Sequence, residues 1–350
     1  MLKVINNFLK MFSSDMSIDL GTANTLVYVA GEGIVLDEPS VIAMVRDKGT
    51  YTPYAFGDEA KKMLGRTPSD IVATKPLADG VIADFKPAEE MIKHFIKSVH
   101  KKRRFFTRPR IVICVPHNST TVDRKAIQDA ALSAGAQEVF LIFEPMAAAI
   151  GAKLPVSEPT GSMVVDIGGG TTEVGLISLG GIVTANSVRV GGNTFDAAIM
   201  NYVRKNNNLY IGEATSERIK KEIGSAAIIK GQKTRTLTIR GLDAIAGIPK
   251  QLTLTDAVIC KSLEEPVLKI VETVKSVLEK APPEIASDIT ESGITMTGGG
   301  ALLKNLDTVL REATGLNVTI AENPLTCVVN GTGKVIENFH KFKHLLFKQD

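Results

Sequence analysis

Two stretches carry residue types at a spacing that could do chemistry. Met163–Ser178 reads MVVDIGGGTTEVGLIS: an apolar run, an acid at its end (Asp166), the glycines Gly168, Gly169 and Gly170, the threonines Thr171 and Thr172, and a second apolar run, Val174–Ile177. Such runs on either side of glycines read as two buried strands joined by a turn. The dinucleotide-binding fingerprint differs, because there the glycines open a helix. Glycine lets the backbone take positive φ and approach a ligand closely, and successive N–H groups in a turn form an anion-binding nest. Asp166 would repel a phosphate, yet it can hold the water shell of a Mg2+ that the phosphate binds. Taken alone, the stretch also reads as a glycine-rich hairpin with no ligand.

The pattern occurs twice. Ser17–Val29 reads SIDLGTANTLVYV, and superposing Asp19 on Asp166 brings Gly21 onto Gly168 and Thr25 onto Thr172. Two copies of strand, Asp-x-Gly, turn and strand suggest two similar half-folds facing one nucleotide, each with a phosphate loop and a carboxylate. A third glycine loop, Gly298–Leu303, follows the strand Ile294–Thr297 and reads as opening a helix, whose N–H groups could face a phosphate or a purine. Glu144 falls between the strand Val139–Phe143 and a helix with Pro145 in its first turn, close to the N-cap. That is where an α/β sheet binds ligands, although an ordinary capping acid would look the same. Ala147, Ala148 and Ala149 allow this helix to pack closely.

The elements that must position these residues alternate between the two types. Strands are expected at Gly31–Leu36, Ser40–Met44, Ile111–Val115, Lys233–Arg240, Gln251–Leu254 and Val318–Ile320. Helices are expected at Asp58–Leu64, Pro87–His100, Thr121–Ala134, Asp196–Arg204, Thr215–Ile223 and Asp256–Glu279, with Gly65–Asp79 irregular. The 350 residues are enough for two domains, and a hydrophobic content of 44% is ordinary for a globular protein. A net charge of +3 gives no support for nucleic-acid binding. Cys114, Cys260 and Cys327 lie far apart with no metal-ligand spacing, which fits a reduced, cytoplasmic compartment. No signal peptide and no transmembrane run is expected.

Three segments have a membrane reading beside a structural one. In Met1–Phe12 the residues Leu2, Ile5, Phe8, Leu9 and Phe12 form one stripe of a helix, which either packs on the domain or lies in a membrane interface. Lys101–Arg110 sets four cations before Phe105 and Phe106. It is either a solvated helix end or a basic loop that dips two rings into lipid. The tail His340–Lys348, with Phe342, Leu345, Leu346 and Phe347, is a second basic and apolar terminal segment.

The order of these features resembles the actin, Hsp70 and sugar-kinase superfamily. Within it, the stretches IDLGTANTLVYV, ADGVIADF, EPMAAAIGA, VVDIGGGTTEV, IGEATSERIKKEIG and MTGGGALL resemble the MreB family of bacterial actins along nearly the whole chain. The resemblance implies an actin-like ATPase fold: two duplicated α/β lobes around a nucleotide cleft, each with a smaller subdomain. It implies a membrane-binding helix at 1–12; subdomain IA at 13–42, 77–156 and 325–350; IB at 43–76; IIA at 157–192 and 257–324; and IIB at 193–256. It implies ATP with Mg2+, slow hydrolysis, self-assembly into filaments of paired protofilaments, and no nucleic-acid partner. By the same resemblance Thr22, Ala23 and Asn24 form the first phosphate loop, and Gly168, Gly169, Gly170 and Thr171 the second. Glu217, Arg218, Ile219 and Lys220 match the ribose and adenine contacts, and Gly299, Gly300, Ala301 and Leu302 the adenosine loop. Asp19 and Asp166 match the acids that hold hydrated Mg2+, and Glu144 with Thr171 the pair that positions the attacking water. The resemblance further implies a place at the inner face of the cell membrane, with RodZ and wall-synthesis proteins as partners. This sequence departs from the pattern at Asn193, where many relatives carry an acid, and at Phe143, where a polar or acidic residue is usual. Phe143 could alter the pKa of Glu144 by desolvation. A small-molecule kinase on the same fold is the alternative; a chaperone-like ATPase would carry a further peptide-binding domain.

Overall fold

A computed structural model describes residues 15–47, 49–101 and 108–349. They divide into two compact units, one built from the residues up to Pro159 with Ile177–Ile182 and the chain from Thr326 onward, the other from Thr160–Leu176 and Val183–Leu325.

In the first unit the strand Met16–Leu20 is central. It pairs antiparallel with Asn24–Val29 and parallel with Arg110–Val115, and the sheet extends to Gly33–Pro39 at one edge and Glu138–Phe143 at the other. Alternate residues of these strands point to opposite faces. Met16, Ile18, Ile111, Ile113, Val139 and Leu141 share a core with Met91, Ile92, Phe95 and Ile96 of the helix Phe85–Lys101 and Ile127 of the helix Thr121–Ser133. The helices Glu144–Gly151 and Cys327–Glu337 pack against each other and against the same sheet. A three-stranded sheet of Thr50–Phe56, Ile42–Asp47 and Ile71–Thr74 forms a smaller satellite.

The second unit repeats the strand order. Ser162–Ile167 is central, with Thr172–Ser178 and Gly181–Val188 on one side and the parallel strands Ile294–Thr297 and Val318–Ile320 on the other. Phe195, Ile199, Ile219, Ile259, Leu263 and Ile270 supply helical side chains to its core. Its satellite sheet is Leu209–Tyr210, Thr236–Asp243 and Pro249–Thr255.

Two of the elements that differ from the sequence-based expectation show why. Within Gly65–Asp79, expected to be irregular, Ile71–Thr74 is a strand because it pairs with Ile42–Val45. Cys327–Glu337 is a largely buried helix that no hydrophobic periodicity announced, since Gly331 and Gly333 lower its propensity. Tertiary contact explains the glycines. A Cβ at Gly331 would lie 1.8 Å from the carbonyl oxygen of Ala147, and one at Gly151 would lie 1.8 Å from that of Cys327. The two helices therefore meet backbone to backbone, and this contact fixes the helix that Glu144 begins. Gly331→Ala is expected to destabilise the chain by about 3 kcal/mol, the upper end of overpacking costs, measured as a fall in denaturant midpoint. Gly181→Ala, whose Cβ would make only ordinary contact at 3.6 Å, is the control and is expected to stay within about 0.5 kcal/mol.

Candidate functional site

The second unit's loop is built from backbone. The Gly168 N–H donates to the Thr171 carbonyl at 2.8 Å and closes the turn between the two strands. The carbonyls of Gly168 and Gly169 accept from the N–H groups of Gly192 and Asn193, at 2.9 and 2.8 Å, in the first turn of the helix Gly192–Asn207. In a trans peptide each carbonyl points opposite to the next N–H. The N–H groups of Gly169 and Gly170 therefore turn away from that helix, as adjacent donors suited to an anion. The approach tolerates no side chain at Gly191, where a Cβ would lie 2.7 Å from the Gly168 carbonyl oxygen. Of the two threonines, Thr172 is committed to the fold, its hydroxyl donating to the Val190 carbonyl at 2.7 Å. Thr171 is buried within the loop itself.

Asp166 is the last residue but one of the central strand, beside this loop. It is 6% exposed, and its Oδ1 accepts a 2.6 Å bond from the Thr297 hydroxyl on the parallel neighbouring strand. Burial pushes its pKa from the ordinary 3.8 to about 6, against the Thr297 bond, which works the other way. The third glycine loop lies against the same strand end: a Cβ at Gly300 would lie 2.2 Å from Cγ2 of Ile167. Gly299–Leu302 is a 3₁₀ turn and not the start of an α-helix, which begins only at Leu306. Ala301 is buried in the core, and Leu302 is exposed.

The helix Glu213–Ile223 divides the four residues matched to ribose and adenine. Ile219 is fully buried in the core, so its side chain is unavailable to a ligand. Lys220 donates to the Gly192 carbonyl and to Asp196, both at 2.8 Å, tying this helix to the one beneath the loop. Arg218 is exposed, and Glu217 pairs with Lys221 at 2.7 Å.

The first unit repeats the backbone logic with different parts. Ser40 takes two carbonyls of the Gly21–Ala23 turn, its hydroxyl donating to Gly21 at 2.5 Å and its N–H to Ala23 at 2.9 Å. The N–H groups of Thr22 and Asn24 consequently face the other way. The side chains here belong to the fold. The buried Thr22 hydroxyl accepts from the Gly80 N–H at 3.0 Å, and the Asn24 amide donates to Asp37 at 2.8 Å. Asp19 accepts a 3.3 Å bond from the Cys114 thiol. Glu144 is the first residue of its helix, 9% exposed, with Phe143 at the N-cap and Pro145 following.

Three positions singled out in the sequence have contacts in the fold. The Phe143 ring packs on His117 and Phe347, with centroids 5.0 and 4.8 Å away. Asn193 contributes its backbone N–H, which any residue but proline supplies. The tail is committed to protein: Leu141 and Phe347 exchange two backbone bonds, and Lys348 pairs with Glu138 at 3.0 Å, so Phe347 is no free lipid contact. Leu2, Ile5, Phe8, Leu9, Phe12, Phe105 and Phe106 lie outside the described residues. Sequence reasoning missed Thr297, Ser40 and Cys114, although Thr297 directly precedes the third glycine loop. Among the described residues no cluster of His, Cys, Asp or Glu could by itself hold a metal ion, and no helix is long and apolar enough to cross a membrane.

Two units with one strand order, each with an acid one residue before the end of its central strand and a backbone loop after it, define an actin-like ATPase fold. The chain belongs to the MreB/Mbl protein family, whose model matches residues 13–344. It is 55% identical over 349 residues to the cell shape-determining protein MreB of Escherichia coli (strain K12), covering 99% of this chain and 100% of that one. Its structure resembles MreB5 of Spiroplasma citri bound to ADP, with a TM-score of 0.87 and 38% identity over 94% of this chain and 97% of that one. The same protein bound to AMPPNP gives a TM-score of 0.86 at 36% identity, with the same coverage.

The raised pKa of Asp166 makes a thermodynamic prediction. Its ionised form is disfavoured by folding, so the penalty is full above about pH 6 and vanishes below about pH 4. Asp166→Asn keeps an acceptor for Thr297 and is expected to stabilise the ligand-free chain by roughly 3 kcal/mol at pH 7–8. Denaturant unfolding at several pH values should show this gain disappearing by pH 4; a gain that does not change with pH would exclude ionisation as its cause.

Proposed function

We propose that this chain is an ATP-binding, slowly hydrolysing bacterial actin that assembles into filaments at the inner face of the cell membrane and sets cell shape by organising wall synthesis. The observation that carries the reading is the duplicated loop, with outward N–H groups beside an acid at the end of each central strand. Membership of a family with a relative named for cell shape, and a structural neighbour seen with ADP and AMPPNP, support it. The N–H groups of Thr22 and Asn24 in one unit, and of Gly169 and Gly170 in the other, suit phosphate oxygens. Glu217, Arg218, Gly299, Gly300 and Leu302 are the groups proposed for the nucleoside, with Lys220, Ile219 and Ala301 holding their elements in place.

Hydrated Mg2+ fits the residues present. Asp166 is a carboxylate whose ionised form burial disfavours, and a nearby dication offsets that penalty. Asp19 and Asp166 would hold the ion through water, and the ion would neutralise phosphate charge. Glu144, fixed at a helix start, is the proposed base that with Thr171 would orient the attacking water. A kinase would need a further base for a substrate hydroxyl; the cell-shape name of a 55% identical relative favours the filament. RodZ and wall-synthesis proteins are the partners this reading proposes.

Two experiments test it. Glu144→Ala is expected to bind ATP within about threefold of the unaltered chain and to release phosphate ~10²–10⁴-fold more slowly. Release at the unaltered rate would remove Glu144 from the mechanism, and failure to pellet as polymer with ATP would remove the filament. For the membrane, a polymer repeats a weak anchor and gains avidity. Co-sedimentation with anionic liposomes is expected to fall on deletion of residues 1–12 and in Phe105→Ser/Phe106→Ser. Equal sedimentation of all three proteins would end the membrane role of these segments.

A further inference from the structure

Cys114 lies near the end of the strand Arg110–Val115, on the central strand's parallel neighbour, and is 2% exposed. Its thiol donates to Oδ1 of Asp19 at 3.3 Å, with the Ile18 carbonyl as a longer alternative acceptor at 3.8 Å. Resting on the ATPase reading above, we propose that Cys114 is a positioning residue that holds the Asp19 carboxylate in the orientation needed for hydrated Mg2+. The argument is geometric. Asp19 must present an oxygen to water, and a directional donor to Oδ1 limits how the carboxylate can turn. A thiol supplied from the adjacent strand is a directional but weak donor, so it fixes one oxygen without removing the negative charge that the ion requires. A lysine or arginine at this place would fix the carboxylate more strongly and neutralise it as well.

The thiol is 2% exposed and offers Asp19 an S–H without adding a charge beside it. Groups that orient a metal's ligands typically change affinity ~10–100-fold when removed, which sets the size of the expected effect.

The test compares Cys114→Ala, which removes the donor, with Cys114→Ser, which keeps one. ATP binding is measured by calorimetry across a Mg2+ titration, with kcat and KM for hydrolysis and the thermal midpoint followed in parallel. Cys114→Ala is expected to raise the Mg2+ half-saturation about tenfold, with ATP affinity in excess Mg2+ close to that of the unaltered chain. Cys114→Ser is expected to restore the Mg2+ dependence to within about threefold, even if its thermal midpoint falls, because packing alone would track stability and not Mg2+. An unchanged Mg2+ half-saturation in Cys114→Ala overturns this inference alone. Absence of Mg2+-dependent ATP binding in the unaltered chain overturns it together with the ATPase reading.

Discussion

Backbone meeting backbone, with no Cβ between, is the constraint on which the rest of this structure depends. Gly331 lies against the Ala147 carbonyl and Gly151 against that of Cys327, so at these points the Glu144 helix is held by main chain. Gly191 lies against the carbonyls of Gly168 and Gly169, and Gly298 against that of Ile167. Protein interiors resist even a methylene of extra volume. Each contact therefore fixes an element in one place, and each of these elements carries or adjoins a residue proposed to act on nucleotide. The arrangement also decides which backbone groups remain for a ligand. When the helix start takes the carbonyls of Gly168 and Gly169, peptide planarity sends the following N–H groups the other way.

Asp166 shows the cost of such a site. A carboxylate at a buried strand end, with one hydroxyl donor and a pKa near 6, stores unfavourable free energy in the fold. Nothing in packing calls for an acid there, since asparagine would fill the same space. The penalty makes sense if it is relieved by a cation when the site is used, which is how functional sites commonly run against stability. Asp19 differs: it is only partly buried, and a thiol donor reaches it from the next strand.

What was legible in the sequence follows from what signals locally. The pairs of strands flanking Asp19 and Asp166 were readable because each is a short apolar run closed by glycine, and the repeat of that pattern pointed to the repeated sheet order. The helix Cys327–Glu337 was not readable, because Gly331 and Gly333 exist for contacts far away in sequence. Ile71–Thr74 was lost for a similar reason, being a strand only through its partner. At Gly299–Leu302 the glycines were read correctly as a loop and incorrectly as the start of an α-helix. Within Glu217–Lys220 a motif match could not separate exposed residues from Ile219, which the 3.6-residue period turns into the core.

The two departures from the family pattern illustrate how far a backbone-built site can vary. Asn193 replaces an acid at a position that here contributes an N–H to Gly169, so the change costs the loop nothing. Phe143 has a different explanation, because its ring is matched by another. It packs on Phe347, whose backbone pairs with Leu141 at the open edge of the sheet, and the Arg124 guanidinium stands over the Phe347 ring at 5.7 Å. Gln128 and Gln349 exchange two further bonds of 3.0 Å. An edge strand left open invites pairing with other chains, and the tail covers it at Leu141. An aromatic residue at 143 is therefore intelligible as the anchor for this chain's own terminus, placed one residue before Glu144 while leaving that helix start intact.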